Sequence, residues 1–271
     1  MRYSILGMGR SLGLDACLFL ACLLAISASG CSTTLPSPPG RMLHLTTPKS
    51  VGKGRGEVTA AFGTAHSGGF FEEDLGVMGG EVHGRYGLSE RTDIGLSAFA
   101  AGLRGDEDVL LVSHHRGIYA ARLSLHHELV PRFVALQVGF AGGGSAAGGF
   151  VSPDAGITLG YENPHLVPYA YGSFYFSQPI AETTLDMSTE DSPNDLRTPY
   201  PSFGPRAGLG LRVPIGPRVD PHSSLLLELG GTWMYGDDPA EEEGLDGQRA
   251  FLQFGLAYRL HLGRKARAPA D

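Results

Sequence analysis

Charge and cysteine are both scarce in this sequence. Charged residues make up 18% of the 271 positions, below the roughly 25% of an average soluble protein, and only 3 residues are cysteine. With 42% hydrophobic residues, the chain lacks the low hydrophobicity and high charge that keep a chain disordered. The formal net charge of −7 argues against a nucleic-acid partner, which would require a basic surface.

A long apolar stripe with helical spacing is also missing, whereas glycine is abundant. The 40 glycines are about twice the usual share, which is about 7%. Because a glycine inside a helix costs about 1 kcal/mol relative to alanine, this composition argues against a helical bundle. The glycines have no Gly-X-Y period, so collagen is excluded as well. An all-β protein remains.

The first 30 residues have the features of a secretory signal. Arg2 and Arg10 precede a mostly apolar run over residues 12–26, and small residues lead to Cys31. The ending Ala28-Ser29-Gly30-Cys31 resembles the bacterial lipobox, although that motif prefers leucine where Ala28 stands and Asp15 interrupts the apolar run.

The resemblance to the lipobox implies that Cys31 becomes the N-terminal residue and carries acyl chains such as palmitate. The other cysteines lie within the signal, so Cys31 has no partner for an internal disulfide. The alternative is a non-lipidated signal followed by a free thiol. Residues 31–53 contain four prolines and no alternation, which predicts a lipidated N-terminus and a flexible periplasmic tether.

From residue 54 to residue 263, apolar and polar residues alternate repeatedly with the period of a β-strand. The predicted fold is all-β: an up-and-down antiparallel transmembrane β-barrel of about ten strands, with 8–12 possible. Residues 264–271 form a short polar tail. The predicted strands are 56–65, 79–88, 92–102, 116–129, 132–142, 152–162, 166–177, 202–213, 223–235 and 249–262.

The polar faces of these strands mix charges with glycine and alanine, which is typical of the interior of a narrow barrel. An internal network of paired charges is therefore expected, because an unpaired buried charge is costly. Its predicted members are Glu57, Glu81, Arg85, Asp93, Arg122, Glu128, Asp154, Glu162, Arg206, Arg212, Glu228 and Arg259. A soluble barrel or sandwich that binds an apolar ligand is the alternative, and it would place the leucines inside.

Connections between the predicted strands alternate between short and long, with 143–151 among the long ones. Outer-membrane barrels have short periplasmic turns and long outer loops, so both chain termini are expected on the periplasmic side. Aromatic residues near strand ends, among them Phe150, Tyr169 and either Phe251 or Phe254, are expected to form belts at the two membrane surfaces.

The last strand adds a second resemblance. Residues 253–260 (QFGLAYRL) resemble the signal that the bacterial barrel-assembly machinery reads, with Gln253, Gly255, Tyr258 and Leu260 at its defining positions. The motif is short, and a nine-residue tail follows the strand where many such proteins end. Together with the lipobox, it implies a small outer-membrane barrel lipoprotein, without indicating one family.

Three groups of residues contain side chains suited to catalysis or metal binding. Asp220-Pro221-His222 with Asp106-Glu107-Asp108 resembles the catalytic groups of omptin proteases, but the topology separates the two motifs. His222-Ser223-Ser224 resembles the His-any-Ser motif of lipid A deacylases, but at the wrong end of the barrel. The doublets His114-His115 and His126-His127 cannot chelate a metal as pairs, because adjacent strand residues point to opposite faces.

The predicted function is therefore a non-enzymatic outer-membrane barrel lipoprotein with a structural, surface-interacting or narrow-pore role. No catalytic residue, cofactor or metal site is predicted. The expected partners are outer-membrane lipid and, during biogenesis, the barrel-assembly and lipoprotein-export machineries. An outer-membrane lipid or peptide hydrolase is the alternative within the same fold.

Overall fold

The computed structural model describes residues 37–67, 75–105, 117–145, 148–180, 185–186, 196–197, 200–216, 222–236 and 249–263. Within these ranges, no helix is long and apolar enough to cross a membrane. The strands are β1 (Gly56–Ser67), β2 (Leu75–Gly87), β3 (Thr92–Gly105), β4 (Gly117–Val130), β5 (Val134–Ser145), β6 (Gly148–Gly160), β7 (Val167–Pro179), β8 (Leu185–Asp186), β9 (Leu196–Arg197), β10 (Ser202–Ile215), β11 (Ser223–Gly236) and β12 (Arg249–Leu262).

The ten long strands form one closed antiparallel barrel, as the sequence predicts. Each long strand pairs with its neighbours along the chain, and β7 pairs with β10. The barrel closes where β1 pairs with β12, from Gly56 opposite Leu262 to His66 opposite Leu252. Closure leaves no edge strand of the barrel with unpaired backbone groups.

The long strands begin and end within a few residues of their predicted bounds, with two differences in the connections. The predicted long loop 143–151 is wrong, because β5 and β6 extend until only residues 146–147 join them. The short strands β8 and β9, which pair with each other between β7 and β10, were not predicted.

The barrel has an apolar outside and a polar inside. Large apolar side chains point outward on every long strand of the described chain, and Leu209 and Leu252 are each 65% exposed. The leucines that an apolar ligand site would need inside are outside instead, with Leu229 52% exposed. This inverted polarity is that of a transmembrane barrel and contradicts the apolar-lumen alternative.

Strand β7 carries its tyrosines on the inner face and its phenylalanines on the outer face. Tyr169, Tyr171 and Tyr175 face inward, whereas Phe174 and Phe176 face outward. A buried tyrosine brings a hydroxyl that needs a hydrogen-bond partner, and in the polar lumen the Tyr169 hydroxyl donates to Glu228 Oε2 at 3.2 Å. The expected aromatic belts are therefore wrong for Tyr169 and likewise for Phe150, which is also buried. Of the two phenylalanines expected as alternatives on the last strand, Phe251 is buried and Phe254 faces outward.

The two mouths of the barrel differ. At the short-turn end lie the start of β1, the end of β12 and the β2–β3, β4–β5, β6–β7 and β10–β11 connections. At the other end, here called the long-loop end, lie the ends of β1, β3, β5, β7 and β11 and the starts of β2, β4, β6, β10 and β12. The start of β1 and the end of β12 therefore lie at the end of the barrel where both chain termini are expected.

The predicted periplasmic tether is not a tether over residues 37–50. Ser37–Ser50, here called the lumen segment, runs through the barrel interior with nearly all of its residues buried. The segment has no alternation because every side of it faces the barrel wall, and a two-faced pattern is expected only where one face meets a different environment.

The lumen segment reverses direction into β1 at two glycines. Gly52 and Gly54 have φ values of +87° and +71°, a conformation that costs glycine little and other residues more. The N–H of Gly54 donates to the carbonyl of Gly87 (2.9 Å), which fixes the turn against β2.

Candidate functional site

The charged interior has one set of residues that pair with one another. Arg85 lies between Glu57 and Asp93, with 2.9 Å from Arg85 Nη1 to Glu57 Oε1. Arg122 and Asp154 form a forked pair, in which Arg122 Nε donates to Asp154 Oδ2 at 2.6 Å and Nη2 to Oδ1 at 2.7 Å. At the short-turn end Arg212 pairs with Glu162, and Arg259 Nη1 lies 3.6 Å from Glu57 Oε1.

A second set of the predicted interior charges binds the backbone of the lumen segment. Glu228 accepts the N–H groups of His44 (2.7 Å) and Leu45 (2.8 Å), and Glu81 accepts the N–H of Leu43 (3.2 Å). Glu128 accepts the N–H of Ser50. These carboxylates take the place of the neighbouring strand that an extended chain otherwise requires for its N–H groups.

Arginines complement the carboxylates by donating to carbonyls of the lumen segment. Arg206 Nη2 donates to the carbonyl of Met42, and Arg259 Nη2 donates to that of Leu45. Every residue of the predicted charge network therefore lies in the interior, but Glu81, Glu128, Arg206 and Glu228 bind the segment rather than forming an ion pair with another network residue within the described chain.

Leu45 is the one residue of the lumen segment with a positive φ, at 53°. A left-handed conformation costs a non-glycine residue roughly 1–2 kcal/mol. The conformation accompanies the convergence of the His44 and Leu45 N–H groups on one carboxylate, and two hydrogen bonds to a charged group, each worth about 1.5–3 kcal/mol, outweigh that cost.

Hydroxyl groups hold the ends of the lumen segment. At the long-loop end, Ser177 Oγ donates to the carbonyl of Pro38 (2.7 Å), and the N–H of Ser37 donates to the carbonyl of Tyr200 (3.1 Å). At the short-turn end, Ser50 Oγ donates to Asp93 Oδ1 (2.6 Å). The segment thus spans the lumen from one mouth to the other.

Small wall residues accommodate the side chains of the lumen segment. A Cβ placed on Gly255 would lie 2.7 Å from Leu43 Cδ1, and one on Gly63 would lie 3.0 Å from the same atom. The His44 ring stacks on the Tyr171 ring, with centroids 4.3 Å apart, and His44 Nε2 lies 2.7 Å from Thr158 Oγ1. Glycine on these inner faces therefore makes room for the segment.

The lumen segment brings its own cation into the interior. Arg41 Nη1 donates to Gln137 Oε1 (3.0 Å), and Arg41 Nη2 lies 3.6 Å from Asp154 Oδ1. Sequence reasoning missed Arg41 and His44, together with their wall partners Gln137 and Thr158. The available signal was the three hydrophobic residues and the arginine in residues 41–45, which are unusual in a solvated tether.

The residues weighed for catalysis do not form an accessible site in the described part of the chain. Asp106-Glu107-Asp108, His114-His115 and Asp220-Pro221 lie outside the described residues. Ser224 Oγ lies 3.4 Å from His261 Nε2, and His261 Nδ1 lies 3.7 Å from Glu57 Oε2. This order resembles a serine–histidine–carboxylate relay, but Ser224 is fully buried and a substrate cannot reach its hydroxyl.

His126 and His127 point to opposite faces, as expected for adjacent strand residues. His126 Nδ1 lies 3.2 Å from Asp93 Oδ2 inside the barrel, whereas His127 Nδ1 lies 3.0 Å from Thr92 Oγ1 on the exposed side. Among the described residues, no group of three or more histidine, cysteine or acidic side chains is arranged to hold a metal ion.

The residues of the predicted assembly signal lie on β12 where it closes the barrel against β1. Gln253 and Gly255 face the lumen, and Tyr258 and Leu260 face outward. Gly255 thus has a second role, because it borders Leu43 of the lumen segment.

The chain matches no protein-family model and no curated protein sequence. Solved structures with a similar fold include an outer membrane channel from Pseudomonas putida F1 (11% identity, 81% of this chain and 100% of that chain, TM-score 0.46). The outer membrane protease OmpT from Escherichia coli is 10% identical over 77% of this chain and 96% of its own, with a TM-score of 0.38. The N-terminal β-barrel domain of Pseudomonas aeruginosa OprF is 14% identical over 77% of this chain and 99% of its own, with a TM-score of 0.31. At these values, their activities remain properties of those proteins.

Proposed function

We propose that this chain is a non-enzymatic outer-membrane β-barrel lipoprotein with a closed lumen and a structural or surface-interacting role. The observation that carries the proposal is the lumen segment, which wall charges and hydroxyl groups bind from mouth to mouth. Of the roles left open by the sequence, a narrow pore is the one that a filled lumen supports least.

The outer surface supports a location in the outer membrane. A closed barrel with an apolar exterior satisfies all of its strand hydrogen bonds internally, which the hydrocarbon layer demands. Strands of this length, tilted as in known barrels, cross a layer of about 30 Å. The β12 residues Gln253, Gly255, Tyr258 and Leu260 are proposed as the element read by the assembly machinery.

Acylation of Cys31 is the second part of the proposal. It rests on the lipobox-like sequence and on the absence of any other cysteine after residue 31. Mass spectrometry of the mature N-terminus should show a diacylglyceryl group on Cys31. Cleavage at another position, with an intact thiol at Cys31, would contradict the lipid anchor.

Conductance in planar bilayers tests whether the lumen is closed. The full chain should give no stable conductance, because the lumen segment fills the interior. The comparison variant lacks residues 37–50. If its barrel folds, as judged by the mobility of unboiled protein on a gel, this variant should give stable conductance steps. Stable conductance from the full chain would overturn the closed-lumen proposal, whatever the deletion does.

A further inference from the structure

The direction of the lumen segment determines where the chain before it leaves the barrel. Ser37 is at the long-loop end, where its N–H donates to the carbonyl of Tyr200 and its carbonyl accepts from Ser202 Oγ. Ser50 is at the short-turn end beside Asp93. The chain therefore enters the lumen among the long loops, descends, reverses at Gly52 and Gly54, and ascends again as β1.

The contacts that successive residues of the lumen segment make with the barrel wall agree with this direction. Gly40 donates its N–H to Ser152 Oγ near the long-loop end of β6, at 3.1 Å. Further along, Leu43 borders Gly63 and Gly255 near the middle of their strands. The order of contacts therefore follows the order of the sequence from one mouth to the other.

Chain length limits how far Cys31 lies from this mouth. Cys31 lies six positions before Ser37, and a fully extended chain covers at most about 3.6 Å per position, or roughly 22 Å in all. The hydrocarbon layer is about 30 Å thick. A return through the lumen is blocked by the lumen segment itself, so Cys31 cannot reach the membrane surface at the short-turn end.

We propose that the barrel threads its own N-terminus through its lumen and holds the acylated Cys31 in the membrane leaflet on the long-loop side. With long loops outside, as in outer-membrane barrels, that leaflet is the outer one and the N-terminus is displayed at the cell surface. The lipid anchor rests on the proposed function, whereas the threading rests on the contacts of Ser37–Ser50. The tether expected from the sequence would instead hold Cys31 in the periplasmic leaflet.

Two single cysteine substitutions on either side of the lumen segment test the threading. Thr34→Cys precedes the segment, and Lys53→Cys follows it in the exposed turn before β1. Each full-length variant is treated in intact cells, in cells with a permeabilised outer membrane, and after denaturation, with a maleimide that does not cross membranes. The unsubstituted chain is the control, because its sole mature cysteine is blocked if acylated.

Threading predicts full labelling of Thr34→Cys in intact cells and labelling of Lys53→Cys only after permeabilisation. Labelling of Thr34→Cys only after permeabilisation or denaturation would overturn the proposal, as would labelling of Lys53→Cys in intact cells. Labelling of the unsubstituted chain in intact cells would refute the lipid anchor while supporting the threading, so the two failures are distinguishable.

Discussion

At the scale of single residues, the lumen charges have two distinct tasks. Arg85 and Arg122 neutralise carboxylates of the wall, as an internal ion-pair network requires. Glu228 and Glu81 instead replace a missing β-strand by accepting backbone N–H groups of the lumen segment. The second task accounts for acidic residues whose partners are not arginines.

Glu228 offers a direct test of this role. Glu228→Leu leaves the N–H groups of His44 and Leu45 without acceptors, and each buried unpaired group costs about 1–3 kcal/mol. The free energy of unfolding, measured with urea in lipid vesicles, should therefore fall by roughly 2–6 kcal/mol. Glu228→Gln keeps one acceptor oxygen and should lose less. Equal stability of the leucine variant and the unsubstituted chain would show that the carboxylate does not hold the segment.

Gly255 tests whether the wall is shaped around the lumen segment. In Gly255→Val the new side chain meets Leu43, and overpacking of this kind typically costs about 1–3 kcal/mol. Gly172→Val is the matched change on an outer face, where an added Cβ has no atom within 4 Å, and it should be close to neutral. Unfolding measurements should also show that Leu43→Ala lowers the cost of Gly255→Val. Additive effects of the two substitutions would contradict the contact.

At the scale of elements, each long strand separates two environments, with lipid on one face and a polar lumen on the other. The β11 residues Leu226 and Leu227 show the separation, since Leu226 is fully buried inside and Leu227 is 36% exposed outside. A shift of one residue would exchange these faces, so the pairing register is tightly specified. The inside–outside assignment of this strand agrees with the one predicted from its alternation.

The cost of a charged substitution depends on depth in the membrane only if the outer face of the barrel meets lipid. Leu229 in the middle of β11 and Leu262 at the end of β12 are both outward and both 52% exposed. Arginine on the lipid face of a barrel costs about 2–4 kcal/mol at the midplane and about 0–1 kcal/mol near the surface. Leu229→Arg should thus destabilise the barrel in vesicles far more than Leu262→Arg. Equal effects at equal exposure would indicate a water-facing exterior.

At the scale of the whole molecule, closure of β1 against β12 makes the barrel one cooperative unit with a filled interior. Folded protein should run differently from boiled protein on a detergent gel, because the closed hydrogen-bond network resists detergent until heated. Fractionation of cells should place the boiling-sensitive band in the outer membrane. A band that is insensitive to boiling, or found in the soluble periplasm, would contradict the membrane barrel.

Much of this architecture follows from local sequence. Strand number, strand faces and the inward position of Glu57, Arg85 and Arg259 follow from alternation, because successive strand side chains point to opposite faces whatever lies around them. The sequence does not predict the short strands β8 and β9 or the extended ends of β5 and β6. These segments are too short or too rich in glycine to show an alternation of apolar and polar residues. The roles of Cys31 and of the assembly signal on β12 stay predictions.

Only the tertiary structure decided what fills the barrel. The residues 37–50 have the prolines and irregular polarity of a tether, and apart from the hydrophobic residues and the arginine in residues 41–45, nothing local distinguishes a chain surrounded by water from one surrounded by a polar wall. Glu228, Arg206 and Arg259 become its partners only when the closed barrel brings them to one axis, about 160 to 215 positions away along the chain. Sequence alternation therefore determined the wall, whereas closure determined the path of the N-terminus and the mouth from which it emerges.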